Sequence, residues 1–273
     1  MTLPAAETMP NGKVKYAKDG ALALLTLTNP PANGYSYEMM RDIDEAVLRA
    51  RFDDEVHVIV IAGEGEKFFC AGADISMLND VTPAFKYSFC LHANETMLRL
   101  EHTPKLVIAA LGGHCVGGGL EIALSCDLRV ARRAAGKTGL PEIALGVLPG
   151  TGGTQRLARV LGKSKAIELM TSGELVDYEA AHELGLVNRL FDAADDAEFL
   201  GQVLDYARTF APPGKAGMAV GHIKRAVQTG AEIPLEAGLA LERELQAKLF
   251  SSEDAREGIA AFVEKRSPEF RGR

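Results

Sequence analysis

The sequence predicts an α/β protein, and three observations carry that expectation. Runs of aliphatic and β-branched residues alternate with segments of helical period up to about Leu190. Beyond that point the strand-like runs stop and only helical segments follow. The composition, 47% hydrophobic and 25% charged over 273 residues, suits an ordered chain with a large core.

The strand-like runs fall at 14–17, 22–27, 56–62, 106–111 and 128–131, as short segments rich in β-branched and aliphatic residues. The segment 37–52 places Met40, Ile43, Ala46, Val47 and Ala50 on one stripe, and 85–100 does the same with Phe89, Ala93, Met97 and Leu100, so both are expected as helices. Four more helices are expected at 195–209, 215–229, 234–250 and 252–265, with Pro212-Pro213-Gly214 and Gly230 as breakers. The last begins at a good cap, Ser251-Ser252-Glu253-Asp254, whose acids suit the positive end of a helix dipole. The chain therefore divides into a mixed core, 1–194, and a helical region, 195–273, of the kind that packs on a neighbouring subunit.

A net charge of −7 argues against a nucleic-acid partner and against an anionic membrane surface. Cys70, Cys90, Cys115 and Cys126 form no CxxC pair and no zinc-ligand spacing, so neither a disulfide framework nor a metal is expected. No apolar run reaches the ~18 residues that would span a bilayer, and the N-terminal segment lacks the apolar centre of a signal peptide. A reducing, cytoplasmic setting is the expectation.

Two glutamates sit in dissimilar glycine-rich frames: Gly117-Gly118-Gly119-Leu120-Glu121, and Leu140-Pro141-Glu142 running into Leu148-Pro149-Gly150-Thr151-Gly152-Gly153. Paired carboxylates on rigid turns can hold one water molecule and move its protons. The glycine triplet lets backbone approach a ligand and opens a helix whose first amides point outward, which puts an oxyanion donor three residues before a potential base. Tight packing of a helix on a sheet is the alternative account of the triplet. In Phe69-Cys70-Ala71-Gly72-Ala73-Asp74-Ile75, small residues after an apolar run leave the Ala73 N–H available, while Asp74 reads as a helix N-cap. Pro141 fixes the backbone ahead of Glu142, although a Pro-Glu pair alone also reads as a helix start. His114 and Cys115 read as packing residues. No Lys-Ser/Thr pair follows the glycines, which sets a nucleotide-binding reading aside.

Together, Ala71-Gly72-Ala73-Asp74-Ile75, Gly117-Gly118-Gly119-Leu120-Glu121, Pro141-Glu142-Ile143 and Leu148-Pro149-Gly150-Thr151-Gly152-Gly153-Thr154-Gln155-Arg156 resemble the motifs of the crotonase superfamily, specifically its enoyl-CoA hydratases. The resemblance runs over nearly the whole chain, to Glu257-Gly258, Ala261-Phe262 and Glu264-Lys265-Arg266. It implies a spiral of ββα units with C-terminal helices that build homotrimers, commonly paired as homohexamers. It further implies that Ala73 and Gly118 supply the two N–H groups that bind a thioester oxygen. Glu121 and Glu142 then form the acid/base pair, and Gly150 helps place the water. Lys67, Ala71, Ile75, Phe262 and Lys265 become candidate coenzyme A contacts, with Lys265 either reaching a neighbour's ligand or remaining an exposed helix lysine. Met77, Leu78, Phe85 and Phe89 become the candidate acyl pocket, with Tyr87 beside them. The implied substrate is an acyl-CoA thioester, with coenzyme A part of that substrate and no metal or separate cofactor required.

The chemistry agrees with what the resemblance implies. Adding water to a 2-enoyl thioester pushes charge onto the carbonyl oxygen, where each fixed N–H donor is worth ~2.7–4 kcal/mol in the transition state. Two carboxyls around one water raise the apparent pKa of one of them and let the pair share a proton. In this scheme Glu121 takes a proton from the attacking water and protonated Glu142 delivers one to the α-carbon. Superfamily members that isomerise or hydrolyse commonly lack one of the two carboxylates, whereas this chain keeps both. One departure stands out: where relatives tend to read Asn-Ala-Leu-Asn, this chain has Asn33-Gly34-Tyr35-Ser36, near the implied coenzyme A entrance, with Tyr35 as a space-filling residue. Two rival readings remain: a hydratase/lyase or isomerase acting on an aromatic or branched enoyl-CoA, and a non-catalytic RNA-binding relative. The second calls for a lysine-rich surface helix, whereas 37–52 mixes arginines with acids.

Overall fold

The computed structural model describes residues 5–74, 77 and 81–273. Its centre is a seven-stranded sheet in the order β1-β2-β3-β4-β6-β8-β11. The strands are β1 (Glu7–Thr8), β2 (Val14–Asp19), β3 (Leu22–Leu27), β4 (Val58–Gly63), β6 (Leu106–Leu111), β8 (Leu128–Arg132) and β11 (Arg189–Phe191). The first two pairings are antiparallel and those from β3 to β11 are parallel. A parallel sheet is covered on both faces, which is why its strands read as unbroken aliphatic runs. In β3, Ala23, Leu25 and Leu27 enter the main core while Leu22 and Leu24 enter a second one on the opposite face; β4 and β6 divide their residues in the same alternating way.

A second, four-stranded sheet lies in the order β10-β9-β7-β5. It is built from β5 (Phe68–Cys70), β7 (His114–Val116), β9 (Lys137–Gly139) and β10 (Val176–Asp177). Of the large-sheet strands, β4, β6 and β8 each lead into a small-sheet strand, β5, β7 and β9, before the next helical segment, so this part of the chain winds as a spiral of ββα units. Helices α1 (Tyr37–Phe52), α2 (Pro83–His102) and α3 (Gly118–Leu124) fill the main core. The expected stripes of α1 and α2 are buried throughout. The Ser36 hydroxyl caps α1 by accepting from the Met39 amide, worth about 1 kcal/mol.

Helices α4 (Gly153–Leu161), α5 (Lys163–Ser172) and α6 (Tyr178–Glu183) complete the core region. Four helices follow: α7 (Asp196–Arg208), α8 (Gly217–Gly230), α9 (Leu235–Phe250) and α10 (Glu253–Glu264). The first of these packs Phe199, Val203, Leu204 and Ala207 into the second core, on the outer face of the large sheet. Asp195 caps α7 and Ser252 caps α10, both through side-chain oxygens. No helix among the described residues is long and apolar enough to cross a membrane.

Candidate active site

Three loops leave the small sheet side by side. β5 runs through Ala71-Gly72 into Ala73, β7 runs into Gly117-Gly118, and β9 runs into Glu142. Because β7 is parallel to both neighbours, all three exits open at one edge, the place where sheets of this kind receive ligands. The Gly117 amide donates to Gly139 O at 2.9 Å and fastens two exits together. On the other side, a Cβ on Gly72, which takes φ +93, would stand 3.2 Å from Gly118 N. The segments carrying Ala73 and Gly118 are therefore adjacent.

Both amides are left available by the backbone pairing around them. Tyr35 and Ala73 form a parallel bridge in which Tyr35 N–H donates to Gly72 O and Asp74 N–H donates to Tyr35 O. That pairing turns the Ala73 N–H to the opposite side, where it meets no acceptor among the described residues. Gly118 is the first residue of α3, so its N–H has no intrahelical acceptor. The triplet owes its composition to crowding as well. Gly117 takes φ +56, and a Cβ there would lie 3.0 Å from Glu142 Oε1. A Cβ on Gly118 would be driven into the Tyr35 ring, and one on Gly119 into the Cys70 carbonyl oxygen. Close packing and an open first turn are one feature here.

Glu121 is buried on α3, with 1% of its surface exposed. Its Oε1 accepts from the Thr151 and Gly153 amides, each at 2.8 Å, and its Oε2 accepts from the Thr151 hydroxyl. Three donors hold this carboxyl, and one of its four lone-pair positions, on Oε2, stays open. Glu142 opens a short 3₁₀ turn, Glu142–Leu145, which ends at Gly146 in the left-handed region. Its Oε2 is buried and meets no hydrogen-bond partner among the described residues. Burial above all pushes the Glu142 carboxyl up to about 7; its own amide opposes this, the charge of Glu121 adds to it, and Lys86 opposes it again. The two glutamates thus stand in opposite circumstances, one held by three donors and the other with a buried oxygen that meets none among the described residues.

The remaining expected residues fall in several places. Gly150 lies beside Cys90, with its would-be Cβ 3.4 Å from Sγ. Phe89 is buried and stacks on Tyr35 at 5.5 Å, while Phe85 continues the stack outward at 6.4 Å and is 41% exposed. Met77 packs partly buried against the main core, and its amide faces Asp74 Oδ1 at 3.5 Å. Ile75 and Leu78 lie outside the described residues. Ala71 donates its amide to Ala32 O, and the Lys67 ammonium lies 5.4 Å from the Phe68 ring. Tyr87 is exposed on α2. Phe262 is exposed near the end of α10, and Lys265 is the αL cap of that helix. Among the described residues, no hydrogen bond, ion pair or ring contact joins those two to the glutamates.

Comparison with known proteins places this geometry in a family. The sequence profile of the enoyl-CoA hydratase/isomerase family matches residues 17–273. The chain belongs to that family. It is 38% identical to a probable enoyl-CoA hydratase of Bacillus subtilis over 260 residues, covering 95% of this chain and 98% of that one. It is 35% identical to a short-chain-enoyl-CoA hydratase of Clostridium acetobutylicum, covering 92% of this chain and 95% of the relative. The crystal structure of an enoyl-CoA hydratase from Geobacillus kaustophilus HTA426 superposes with a TM-score of 0.92 at 44% identity, covering 96% of this chain and 97% of that one. The protein is an enzyme of the hydratase family with the crotonase fold.

Within this family member, three site residues lie beyond what the motif reading assigned. Thr151 supplies two of the three donors to Glu121 from inside the quoted glycine run. Arg156, in the same run, donates to Glu101 through two nitrogens at 2.8 Å each and to Thr151 O at 3.2 Å. Tyr35 is the departure from the related motif, and its hydroxyl lies 3.4 Å from Thr151 Oγ1. The only sequence signal for it was that departure; its ring turns inward beneath Gly118.

Proposed function

We propose that this enzyme adds water across the double bond of a trans-2-enoyl-CoA to give a 3-hydroxyacyl-CoA. The observation that carries the proposal is the pairing of a carboxyl held by three donors, Glu121, with a half-buried carboxyl raised to about 7, Glu142, beside two unspent backbone amides. Glu121 Oε2 accepts a proton from the water as its oxygen attacks the β-carbon. Protonated Glu142 gives its proton to the α-carbon, and the Ala73 and Gly118 amides hold the negative charge that gathers on the thioester oxygen. Gly150 leaves room for the water. The balance of the reaction is one water consumed, with both carboxyls returned to their starting states by a proton passing between them. It calls for no group beyond the substrate's own coenzyme A.

Around this centre the proposal sets Lys67, Ala71, Ile75, Phe262 and Lys265 against coenzyme A and Met77, Leu78, Phe85 and Phe89 against the acyl chain, in a cytoplasmic homotrimer or pair of trimers. The exposed ring of Phe85, stacked on Phe89, also suits a flat aromatic acyl group, so an aromatic enoyl-CoA is the second reading.

The test is hydration of crotonyl-CoA, longer straight-chain esters and cinnamoyl-CoA by the native enzyme and by Glu121→Gln and Glu142→Gln. Each substitution is expected to lower kcat by ~10²–10⁴ with little change in ester binding. Near-native turnover by either variant removes that residue from the mechanism. Turnover of cinnamoyl-CoA with crotonyl-CoA untouched replaces the straight-chain reading by the aromatic one.

A further inference from the structure

We infer that Tyr35 is a positioning residue for the proposed base, bracing Glu121 Oε2 through the Thr151 hydroxyl while its ring backs the Gly118 end of the amide cradle. The inference rests on Glu121 being the base. Glu121 Oε1 uses both lone pairs on the Thr151 and Gly153 amides, so the oxygen left open to water is Oε2, the one that accepts the Thr151 hydroxyl. That hydroxyl has one proton, and it is committed to Glu121. At the 3.4 Å contact between Tyr35 and Thr151 Oγ1, the phenol is therefore the donor. A hydroxyl that accepts a hydrogen bond is itself a stronger donor, so the phenol strengthens the contact that aims the reactive oxygen.

The tyrosine is also held so that it can do this. Its backbone is bonded on both sides, to Gly72 O and from Asp74 N–H. Its ring is clamped between the Gly118 Cα and Phe89, 3% exposed. Burial first, and the charge of Glu121 second, push its hydroxyl well above the usual tyrosine range, so it remains a proton donor at any working pH. The titratable groups that face it are Glu121, Cys90 and Cys70. Glu121 in turn faces Glu142 and Cys90, and Lys86 faces both of those.

Tyr35→Phe keeps the ring and its stacking and removes the phenol. With crotonyl-CoA, and cinnamoyl-CoA as a second probe, kcat is expected to fall about three- to ten-fold, with KM within about two-fold and Tm within about 2 °C. The acidic limb of the pH–rate profile is expected to move to higher pH, because the carboxylate form of the base loses support. In a Thr151→Val background the Tyr35→Phe change should have no further effect, whereas in Thr151→Ser, which keeps a hydroxyl, it should have its full effect. A residue that merely fills space would shift Tm and leave the profile alone. Native kcat with an unmoved acidic limb in Tyr35→Phe, or additive losses with Thr151→Val, would overturn the inference. If Glu121→Gln is inactive while Tyr35→Phe is native, the inference alone fails; if Glu121→Gln turns over normally, the reading of Glu121 as base fails and takes the inference with it.

Discussion

Gly153 donates its amide to Glu121 Oε1 at 2.8 Å, and a Cβ on Gly153 would come within 3.1 Å of the same oxygen. The first residue of α4 is thus pressed against the carboxyl it helps to fix. The same missing side chain leaves room for Pro149 Cβ and Leu140 Cδ1, which a methyl group would approach to 2.8 and 2.9 Å. Helix, proline turn and glutamate meet with no slack.

Gly153→Ala is therefore expected to move α4 away from Glu121 and stretch the amide contact. Overpacking of this kind costs about 1–3 kcal/mol. Hydration kcat should fall about ten- to hundred-fold while KM changes little, since a small misplacement of a catalytic group is that costly. Steady-state kinetics beside a urea unfolding curve measure both; a native kcat would show that the contact does not position the base.

Glu142 should make both activity and stability depend on pH. Its carboxyl goes from an ordinary 4.5 to about 7 in the folded state, mainly through burial. The proposed acid must be protonated, so hydration is expected to decline as pH rises through about 7. The stability sign follows from the same shift. Between these two values the folded state holds the proton that the unfolded chain has released, so the contribution is complete below about 4.5 and is lost as pH rises through about 7. Glu142→Gln should consequently be more stable than the parent near pH 8 by ~1–2 kcal/mol after allowing for partial exposure, and should show no such gain near pH 4. Urea midpoints at the two pH values decide this; a pH-independent difference would mean the buried carboxyl does not carry the shift.

How legible this site was depends on element length. The long aliphatic strands of the large sheet and the stripes of α1 and α2 carry enough periods to be read directly, and Leu22–Leu27, Leu106–Leu111 and Tyr37–Phe52 lie where the patterning put them. The small sheet is made of strands two or three residues long, too short for any period to register. Yet it is the parallel pairing of those short strands that sets Ala73, Gly118 and Glu142 side by side. The family motifs supplied the residues and the backbone supplied their reason for meeting. Thr151 reads only as one member of a glycine run and Tyr35 only as a space-filling departure from a motif, because their contacts span 30 and 116 positions of the chain.

Arg156 and Glu101 form a nearly buried two-pronged pair, and Arg156 also reaches the Thr151 carbonyl. Lysine carries the charge but cannot hold a carboxylate in two places and a carbonyl in a third. Arg156→Lys is expected to lower kcat about ten-fold through a loosened Thr151, whereas Arg156→Met strands Glu101 and should cost ~3–5 kcal/mol of stability. Kinetics of the first variant and thermal unfolding of the second separate positioning from folding; equal kcat in Arg156→Lys would confine the pair to a structural role.

A buried lysine ties the helical region to the core. Lys224 of α8 is buried, and its ammonium donates to Asp127 at 2.8 Å, to Leu100 O at 2.8 Å and to Lys105 O at 3.0 Å. Asp127 also accepts the Val107 amide at 2.7 Å, at the head of β6. Burial pushes the Asp127 carboxyl up and the Lys224 amine down, each toward its neutral form, and each is pulled back by the other. Removing one partner leaves the other charge without compensation. Lys224→Met is therefore expected to cost ~3–5 kcal/mol, because Asp127 and two carbonyls lose their donor. Lys224→Met with Asp127→Asn should recover part of that loss, since the neutral amide oxygen still accepts from Val107 while the stranded charge is gone. Hydration kcat measured well below the unfolding transition should be within about two-fold of native in both, as neither residue touches the glutamates. Chemical denaturation of the single and double variants tests the claim: a double variant no more stable than Lys224→Met would mean that the penalty comes from the carbonyls and the lost lysine packing, and that the ion pair itself holds nothing in place.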